Sequence, residues 1–124
     1  MMALRRVLVI EDEYLIALEI ESVLEEAGIG EIVLAPTESA ALEEVTRGGW
    51  DAVVADANLN GVGIQRIVAA LADRSIPFLI VTGYSREDLP WVIGNVPIVR
   101  KPFFATDLVE ALEETIAAGA IART

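Results

Sequence analysis

The sequence contains neither cysteine nor histidine among its 124 residues. Without cysteine there is no disulfide framework and no thiolate metal site, and without histidine there is no imidazole ligand, general base or phosphodonor. Catalysis by a serine-histidine or cysteine-histidine pair is therefore excluded. Any metal site has to be built from oxygen ligands, which suit hard cations such as Mg²⁺.

Basic residues and long apolar runs are also scarce. The chain has 9 Lys and Arg against 20 Asp and Glu, and its formal net charge of -11 opposes binding to nucleic acid or anionic lipid. No uncharged apolar run approaches the roughly 18 residues of a membrane span. The apolar segment after Arg6 stops at Glu11 without a cleavage site, which argues against a signal peptide. We therefore expect a cytoplasmic protein whose partners are cations or basic protein surfaces.

Short apolar runs alternate with segments of helical period along the whole chain. The runs predict strands at 6–11, 31–35, 52–56, 77–82 and 96–100. Such alternation is typical of a doubly wound parallel sheet in an α/β protein, with helices on both faces. The length fits a single domain over residues 1–124. We expect an ordered core at about 5–118 and a loose tail from Gly119 to Thr124.

Polar side chains stand where the predicted strands end. They are Glu11, Asp12, Asp56, Thr82 and Lys101. Each alone has an ordinary explanation, as a residue at a helix start, a turn former or a solvated loop residue. In a parallel doubly wound sheet, however, the ligand site lies beyond the carboxyl ends of the strands, so these side chains should converge.

Carboxylates that converge repel one another, and either their pKa values rise or a cation joins them. Since the ligands are few and all oxygen, Mg²⁺ is favoured over Ca²⁺. Asp12 and Asp56 are the candidate direct ligands, with the backbone carbonyl of Asn58 within reach.

Four separated motifs carry a resemblance to a known family. "VLVIEDE", "DAVVADANLNG", "IVTGY" and "VRKPF" occur in this order and resemble those of response-regulator receiver domains in two-component signalling. The resemblance covers essentially the whole chain. It implies a flavodoxin-like, CheY-like sheet of five parallel strands in the order 2-1-3-4-5.

The resemblance also implies a role for each strand-end residue. Asp56 would accept a phosphoryl group from the phosphohistidine of a sensor histidine kinase or a histidine phosphotransfer protein. Glu11 and Asp12 would match the Mg²⁺-binding acidic pair. Thr82 would engage the phosphoryl oxygens and Lys101 would pair with them. We expect no independent substrate turnover, because such a phosphoacceptor assists only its own phosphorylation and dephosphorylation.

The chain departs from the family pattern at two places. "ANLN" follows the aspartate where the family commonly has Met-Pro, and Ile98 stands where many receivers carry a switching Tyr or Phe. Thr82 and Tyr84 are then the other candidate switch residues. "PFLIVTGY" together with Ile98 resembles a single-domain subgroup with an F-A-T-G-hydrophobic-Tyr signature, although Ile80-Val81 replaces Phe-Ala and Tyr84 directly follows Gly83.

The leading hypothesis is a single-domain response regulator. It would act through a phosphorylation-switched interface with a downstream protein, or as a phosphoryl relay or sink. An alternative is a phosphorylation-independent binding module on the same fold, using the face around Pro90 and Trp91. A phosphatase is a weaker alternative, because it would usually need a second carboxylate where Asn58 stands.

Overall fold

The structure, a computed structural model, describes residues 5–83, 89 and 95–123, with side chains described up to 119. The strands in these residues are β1 (Arg6–Ile10), β2 (Glu31–Ala35), β3 (Ala52–Asp56), β4 (Asn58–Leu59), β5 (Val62–Gly63), β6 (Phe78–Thr82) and β7 (Ile98–Arg100). The helices in the same residues are α1 (Tyr14–Glu26), α2 (Glu38–Arg47), α3 (Gln65–Asp73) and α4 (Ala105–Arg123). Tyr84, Pro90 and Trp91 lie outside the described residues.

Five parallel strands form one sheet in the order β2-β1-β3-β6-β7. Counted along the chain without the short β4 and β5, this is the predicted order 2-1-3-4-5, and the doubly wound α/β fold is confirmed. The order reverses at β1 and β3, which are neighbours in the middle of the sheet. The crevice expected in such a sheet therefore lies at the carboxyl ends of these two strands.

The two faces of the sheet are covered by different helix pairs. On one face, Leu8 and Val53 belong to a cluster with Val45 of α2 and Ile67 of α3. The strand residues that alternate with these pack on the other face against helices α1 and α4. The buried members of this second cluster include Val7, Val9, Val54, Ile20, Leu24, Leu108 and Leu112. Because side chains alternate across a strand, a continuously apolar run supplies both cores at once.

Arg6 fastens the amino-terminal ends of three strands together. Its guanidinium lies 4.4 Å from the centre of the Trp50 ring and donates to both carboxylate oxygens of Glu31 at 3.1 Å. Its backbone N–H donates to Asp51 at 2.8 Å. These contacts join β1, β2 and the start of β3 at the end of the sheet opposite the polar strand ends.

The last helix extends into the predicted tail. A loose tail was expected from Gly119, and α4 runs through this position to Arg123. Gly119 is buried against Pro77, where a Cβ would lie only 2.5 Å from Pro77 Cγ. The missing side chain therefore lets the last turns of α4 approach the loop before β6. Among the described residues, no helix is sufficiently long and apolar to cross a membrane.

Candidate functional site

The polar strand ends meet at the carboxyl edge of the sheet. Asp56 closes β3 and is paired in register with Val81, so Thr82 follows one residue further along β6. Thr82 in turn pairs with Arg100, which directly precedes Lys101. The edge opens into a cavity of about 350 Å³ whose lining includes Asp12, Asp56, Asn58, Thr82 and Lys101.

Three carboxylates form a compact acidic cluster, and two of them, Asp12 and Asp56, line this cavity. One oxygen from each of Glu11, Asp12 and Asp56 lies within 4.8 Å of the others. The Glu11 side chain is fully buried and Asp56 is 9% exposed, whereas Asp12 is half-buried. Since the donor set is entirely oxygen, the cluster suits a hard cation. The predicted convergence of these three residues is therefore observed.

Lys101 lies against two of the carboxylates. Its Nζ is 2.9 Å from Glu11 Oε1 and 3.4 Å from Asp56 Oδ2. The Lys101 N–H donates to the Thr82 carbonyl at 2.8 Å and thereby extends the β6–β7 ladder to the site. Burial acts to lower the pKa of Lys101, but the hydrogen bond to Glu11 and the charges of Asp56 and Glu11 outweigh it and raise that pKa. Lys101 is therefore cationic at neutral pH.

Glu11 is held on both oxygens. Oε1 accepts from Lys101, and Oε2 accepts from the Glu13 N–H at 3.2 Å. The second contact is local, since the chain turns directly after β1. These two bonds compensate the burial of the Glu11 carboxylate.

Opposing influences act on Asp56. Burial, followed by the charge and hydrogen bond of Glu11, raises the pKa of Asp56, while Lys101 and the N–H of Asn58 lower it. The net result raises the pKa of Asp56 to about 7. Because the carboxylate is favoured by nearby positive charge, a cation in the cavity would promote its ionisation.

Two of the three predicted switch residues fall in the described part of the chain. Thr82 is 1% exposed and lines the cavity. Ile98 is half-buried on β7 and pairs in register with Ile80. It packs against the core cluster on the side of the sheet covered by α2 and α3. Tyr84 lies outside the described residues.

The segment after Asp56 is a β-hairpin, which the sequence analysis missed. Strands β4 and β5 pair antiparallel, and the two turn residues Asn60 and Gly61 have φ of 51° and 81°. Positive φ at both positions defines a type I′ turn, for which Asn-Gly is the preferred pair. The Asn-Gly dipeptide was therefore the signal that could have revealed the hairpin.

The hairpin contacts the acidic cluster through its backbone. The Asn58 N–H donates to Asp56 Oδ1 at 3.2 Å, and the Asn60 N–H donates to Asp12 Oδ2 at 3.2 Å. Within the turn, Asn58 Oδ1 accepts from the Gly61 N–H at 2.7 Å. The segment that replaces Met-Pro is thus tied to two of the three carboxylates.

Comparison with known proteins agrees with this geometry. The family model of the response regulator receiver domain matches residues 7–113. Comparison with curated protein sequences found no significant match. A response regulator receiver domain protein from Clostridium thermocellum is 26% identical with a TM-score of 0.83, over 96% of this chain and 99% of that one.

Two further solved structures show the same fold. A CheY-like receiver domain protein from Methanospirillum hungatei is 23% identical with a TM-score of 0.85, over 97% of this chain and 99% of that one. The response regulator PhyR from Brucella abortus is 30% identical with a TM-score of 0.79 over 95% of this chain, which spans 50% of PhyR. The fold, the converging strand ends and the family match over residues 7–113 lead to one conclusion: the chain belongs to the response regulator receiver domains of two-component signalling.

Proposed function

We propose that Asp56 accepts a phosphoryl group from the phosphohistidine of a sensor histidine kinase or a histidine phosphotransfer protein, in a reaction that requires Mg²⁺. One observation carries the proposal. A carboxylate at the end of a buried strand opens into a cavity and lies 3.4 Å from a lysine ammonium, within an all-oxygen acidic cluster.

In this reaction a carboxylate oxygen of Asp56 attacks phosphorus and forms a P–O bond. The P–N bond of the phosphohistidine breaks, and its electron pair returns to the imidazole of the donor. Only ionised Asp56 can attack, and its pKa of about 7 means that the metal-free site is partly protonated at neutral pH. Positive charge near Asp56 therefore raises the fraction that is ready to react.

Lys101 and Thr82 would act on the transferred group. The Lys101 ammonium, now held by Glu11 at 2.9 Å and Asp56 at 3.4 Å, would pair with a phosphoryl oxygen. The Thr82 hydroxyl would donate to another oxygen from the neighbouring strand. Phosphoryl transfer depends mainly on such positioning and charge stabilisation.

The acidic cluster would hold the cation. Asp12, Asp56 and the backbone carbonyl of Asn58 are the proposed direct ligands, and Glu11 contributes its charge and holds Lys101. When bound, Mg²⁺ supplies positive charge that offsets the negative charge of the phosphoryl oxygens. The fit rests on the donor set: three carboxylates offer oxygens within 4.8 Å of one another, and a bound cation would offset their repulsion.

The phosphorylated chain would act as a single-domain regulator. Added charge at Asp56 would draw Thr82 inward and alter a surface recognised by a downstream protein, or the group would be passed on or lost to water. The neighbouring strands β6 and β7 carry Thr82 and Ile98, with Ile80 paired to Ile98. Tyr84 completes the proposed switch. Ile98 cannot provide an aromatic relay, so the switch would rely on Thr82 and Tyr84.

Intact-mass measurement after incubation with acetyl phosphate tests the proposal. We expect one added phosphoryl group with Mg²⁺, little without it, and none in Asp56→Asn. A matched control is Asp73→Asn, which makes the same change at an exposed position at the end of α3 and should be phosphorylated normally. An adduct that persists in Asp56→Asn would overturn the assignment. Absence of any adduct in the wild type would favour a phosphorylation-independent module.

A further inference from the structure

The β4–β5 hairpin holds the two acidic strand ends through one short stretch of backbone. The Asn58 N–H donates to Asp56 and the Asn60 N–H donates to Asp12, each at 3.2 Å. Asp12 follows β1 and Asp56 ends β3, and these strands are neighbours in the sheet. The hairpin therefore spans the edge between the two proposed direct ligands.

The bond to Asp12 depends on the turn conformation. Asn60 is the first residue of the type I′ turn, and its φ of 51° is unusual for a residue other than glycine. If the turn relaxed, the Asn60 N–H would no longer be directed at Asp12. The position of this donor is thus decided by whatever stabilises the turn.

The Asn58 side chain stabilises that turn. Its Oδ1 accepts from the Gly61 N–H at 2.7 Å and so closes the loop across Asn60. Leu59, which is 3% exposed, anchors β4 in the core beside it, whereas Val62 on β5 is 49% exposed. The hairpin is therefore packed against the core through β4, and the side chain of Asn58 stabilises the turn between β4 and β5.

We propose that the side chain of Asn58 is a positioning residue for the cation site. By holding the Asn60–Gly61 turn closed, it keeps the Asn60 N–H on Asp12 Oδ2 and leaves the other oxygen of this half-buried carboxylate oriented for the metal. This role is separate from that of the Asn58 backbone carbonyl. The inference rests on the proposed function, because Asp12 needs to be oriented only if a cation binds there.

The expected size of the effect follows from other metal sites. Replacement of a partner that orients a metal ligand typically weakens metal binding by roughly 10 to 100-fold. Here the donor is backbone and is loosened rather than deleted. We therefore expect the Mg²⁺ dissociation constant to rise by roughly 3 to 10-fold when the turn is destabilised.

Two variants destabilise the turn by different means. Asn58→Ala removes the acceptor for the Gly61 N–H but keeps the backbone carbonyl. Gly61→Ala places a side chain at φ of 81°, and no atom lies within 4 Å of the new Cβ, so it strains only the backbone. Val62→Thr is the matched control, since it changes an exposed residue of the same hairpin to another β-branched one.

The experiment is isothermal titration with Mg²⁺ of the complete chain, together with amide exchange of Asn60 by NMR in chelator. We expect both turn variants to bind Mg²⁺ more weakly and to exchange the Asn60 amide faster, with Val62→Thr like wild type. The unfolding midpoint in chelator identifies a merely structural role, which would lower the midpoint without changing the dissociation constant. Wild-type affinity in both turn variants, or unchanged Asn60 exchange in Asn58→Ala, would overturn the inference.

The mass experiment separates this inference from the proposed function. If the wild type binds Mg²⁺ and is phosphorylated but the turn variants bind equally well, only the role of Asn58 fails. If the turn variants lose affinity but acetyl phosphate adds nothing to the wild type, only the phosphoacceptor role fails. A wild-type chain that binds no Mg²⁺ overturns both.

Discussion

At the scale of single residues, the site is a balance of charges around Asp56. Burial and then Glu11 oppose its ionisation and raise its pKa, while Lys101 and the Asn58 N–H favour ionisation. Glu11 itself is fully buried, and its Oε1 lies 2.9 Å from Lys101 Nζ. The same arrangement that places Lys101 for a phosphoryl oxygen would therefore make the acidic cluster costly for the folded state in the presence of a chelator.

This cost predicts a pH dependence of stability. Because the folded-state pKa of Asp56 is raised to about 7, the folded chain binds more protons than the unfolded chain between about pH 4 and pH 7. The contribution of Asp56 to stability is therefore most favourable at low pH, falls as pH rises through this window and levels off above it. Asp56→Asn does not titrate, so in chelator we expect it to be more stable than wild type, with a larger advantage at about pH 8 than at about pH 5.

Urea unfolding at the two pH values measures the difference. Asp73→Asn is the control, because it removes a carboxylate that is exposed at the end of α3. An advantage of Asp56→Asn that is equal at both pH values, or larger at the lower one, would contradict the pKa assigned to Asp56.

At the scale of secondary-structure elements, close packing between elements can extend a helix beyond the point where local sequence preference would end it. Glycine is a poor helix former and normally marks a helix end, and chain termini are often poorly ordered, which is why a loose tail was expected at 119–124. In the fold, α4 continues past Gly119, where the absence of a side chain leaves room for the ring of Pro77. In the β4–β5 hairpin, by contrast, the local preference of Asn-Gly and the tertiary contacts to Asp12 and Asp56 agree.

Gly119→Ala tests the contact between α4 and the loop before β6. Alanine is favoured over glycine in a helix by about 1 kcal/mol, but inserting a methyl group into a packed contact costs about 1–3 kcal/mol. The new Cβ would lie 2.5 Å from Pro77 Cγ. We therefore expect Gly119→Ala to lower the free energy of unfolding by about 1 kcal/mol, measured by urea unfolding.

The same substitution in a Pro77→Ala background is the control. With the proline ring removed, Gly119→Ala should become neutral or stabilising, since only the helix preference remains. If Gly119→Ala stabilised the chain in both backgrounds, the packing of α4 on Pro77 would be wrong.

At the scale of the whole molecule, the net charge of -11 adds a general repulsion to the local one in the acidic cluster. Any added salt screens the general repulsion. At 0.1 M ionic strength, the interaction between exposed charges more than about 10 Å apart is largely screened. A cation that binds the cluster would relieve the local repulsion as well. The two effects can therefore be separated by comparing MgCl₂ with NaCl at equal ionic strength.

We expect MgCl₂ to raise the thermal unfolding midpoint more than NaCl does. Binding to the folded state alone stabilises it by about 2.7 kcal/mol when the free cation is about 100-fold above its dissociation constant. In Asp12→Asn, which keeps the hydrogen-bond acceptor but loses a ligand charge, the excess of MgCl₂ over NaCl should largely disappear. Equal midpoints in the two salts for wild type would mean that the cluster does not bind Mg²⁺.

Much of the fold was predictable because the two patterns that specify it, apolar runs of strand length and apolar residues at helical spacing, are local in the sequence. The β3 strand at 52–56 has the predicted bounds, since a continuous apolar run can be recognised directly in the sequence. β7 is shorter than predicted and begins at Ile98, after Pro97, which has no N–H to donate. The convergence of Glu11, Asp12, Asp56 and Lys101 was also predictable, because parallel strands bring their carboxyl ends to one edge.

What the sequence determined by itself was therefore the alternation of elements, the two-sided apolar strands and the set of polar residues at their ends. The tertiary structure alone decided which atoms pair: Lys101 with both Glu11 and Asp56, the Asn60 N–H with Asp12, and Gly119 with Pro77. The physical reason is range. Periodicity and turn preference act over a few residues. The pKa of about 7 at Asp56 depends instead on burial and on the charges of Glu11 and Lys101, which are 90 positions apart in the sequence and meet only in the fold.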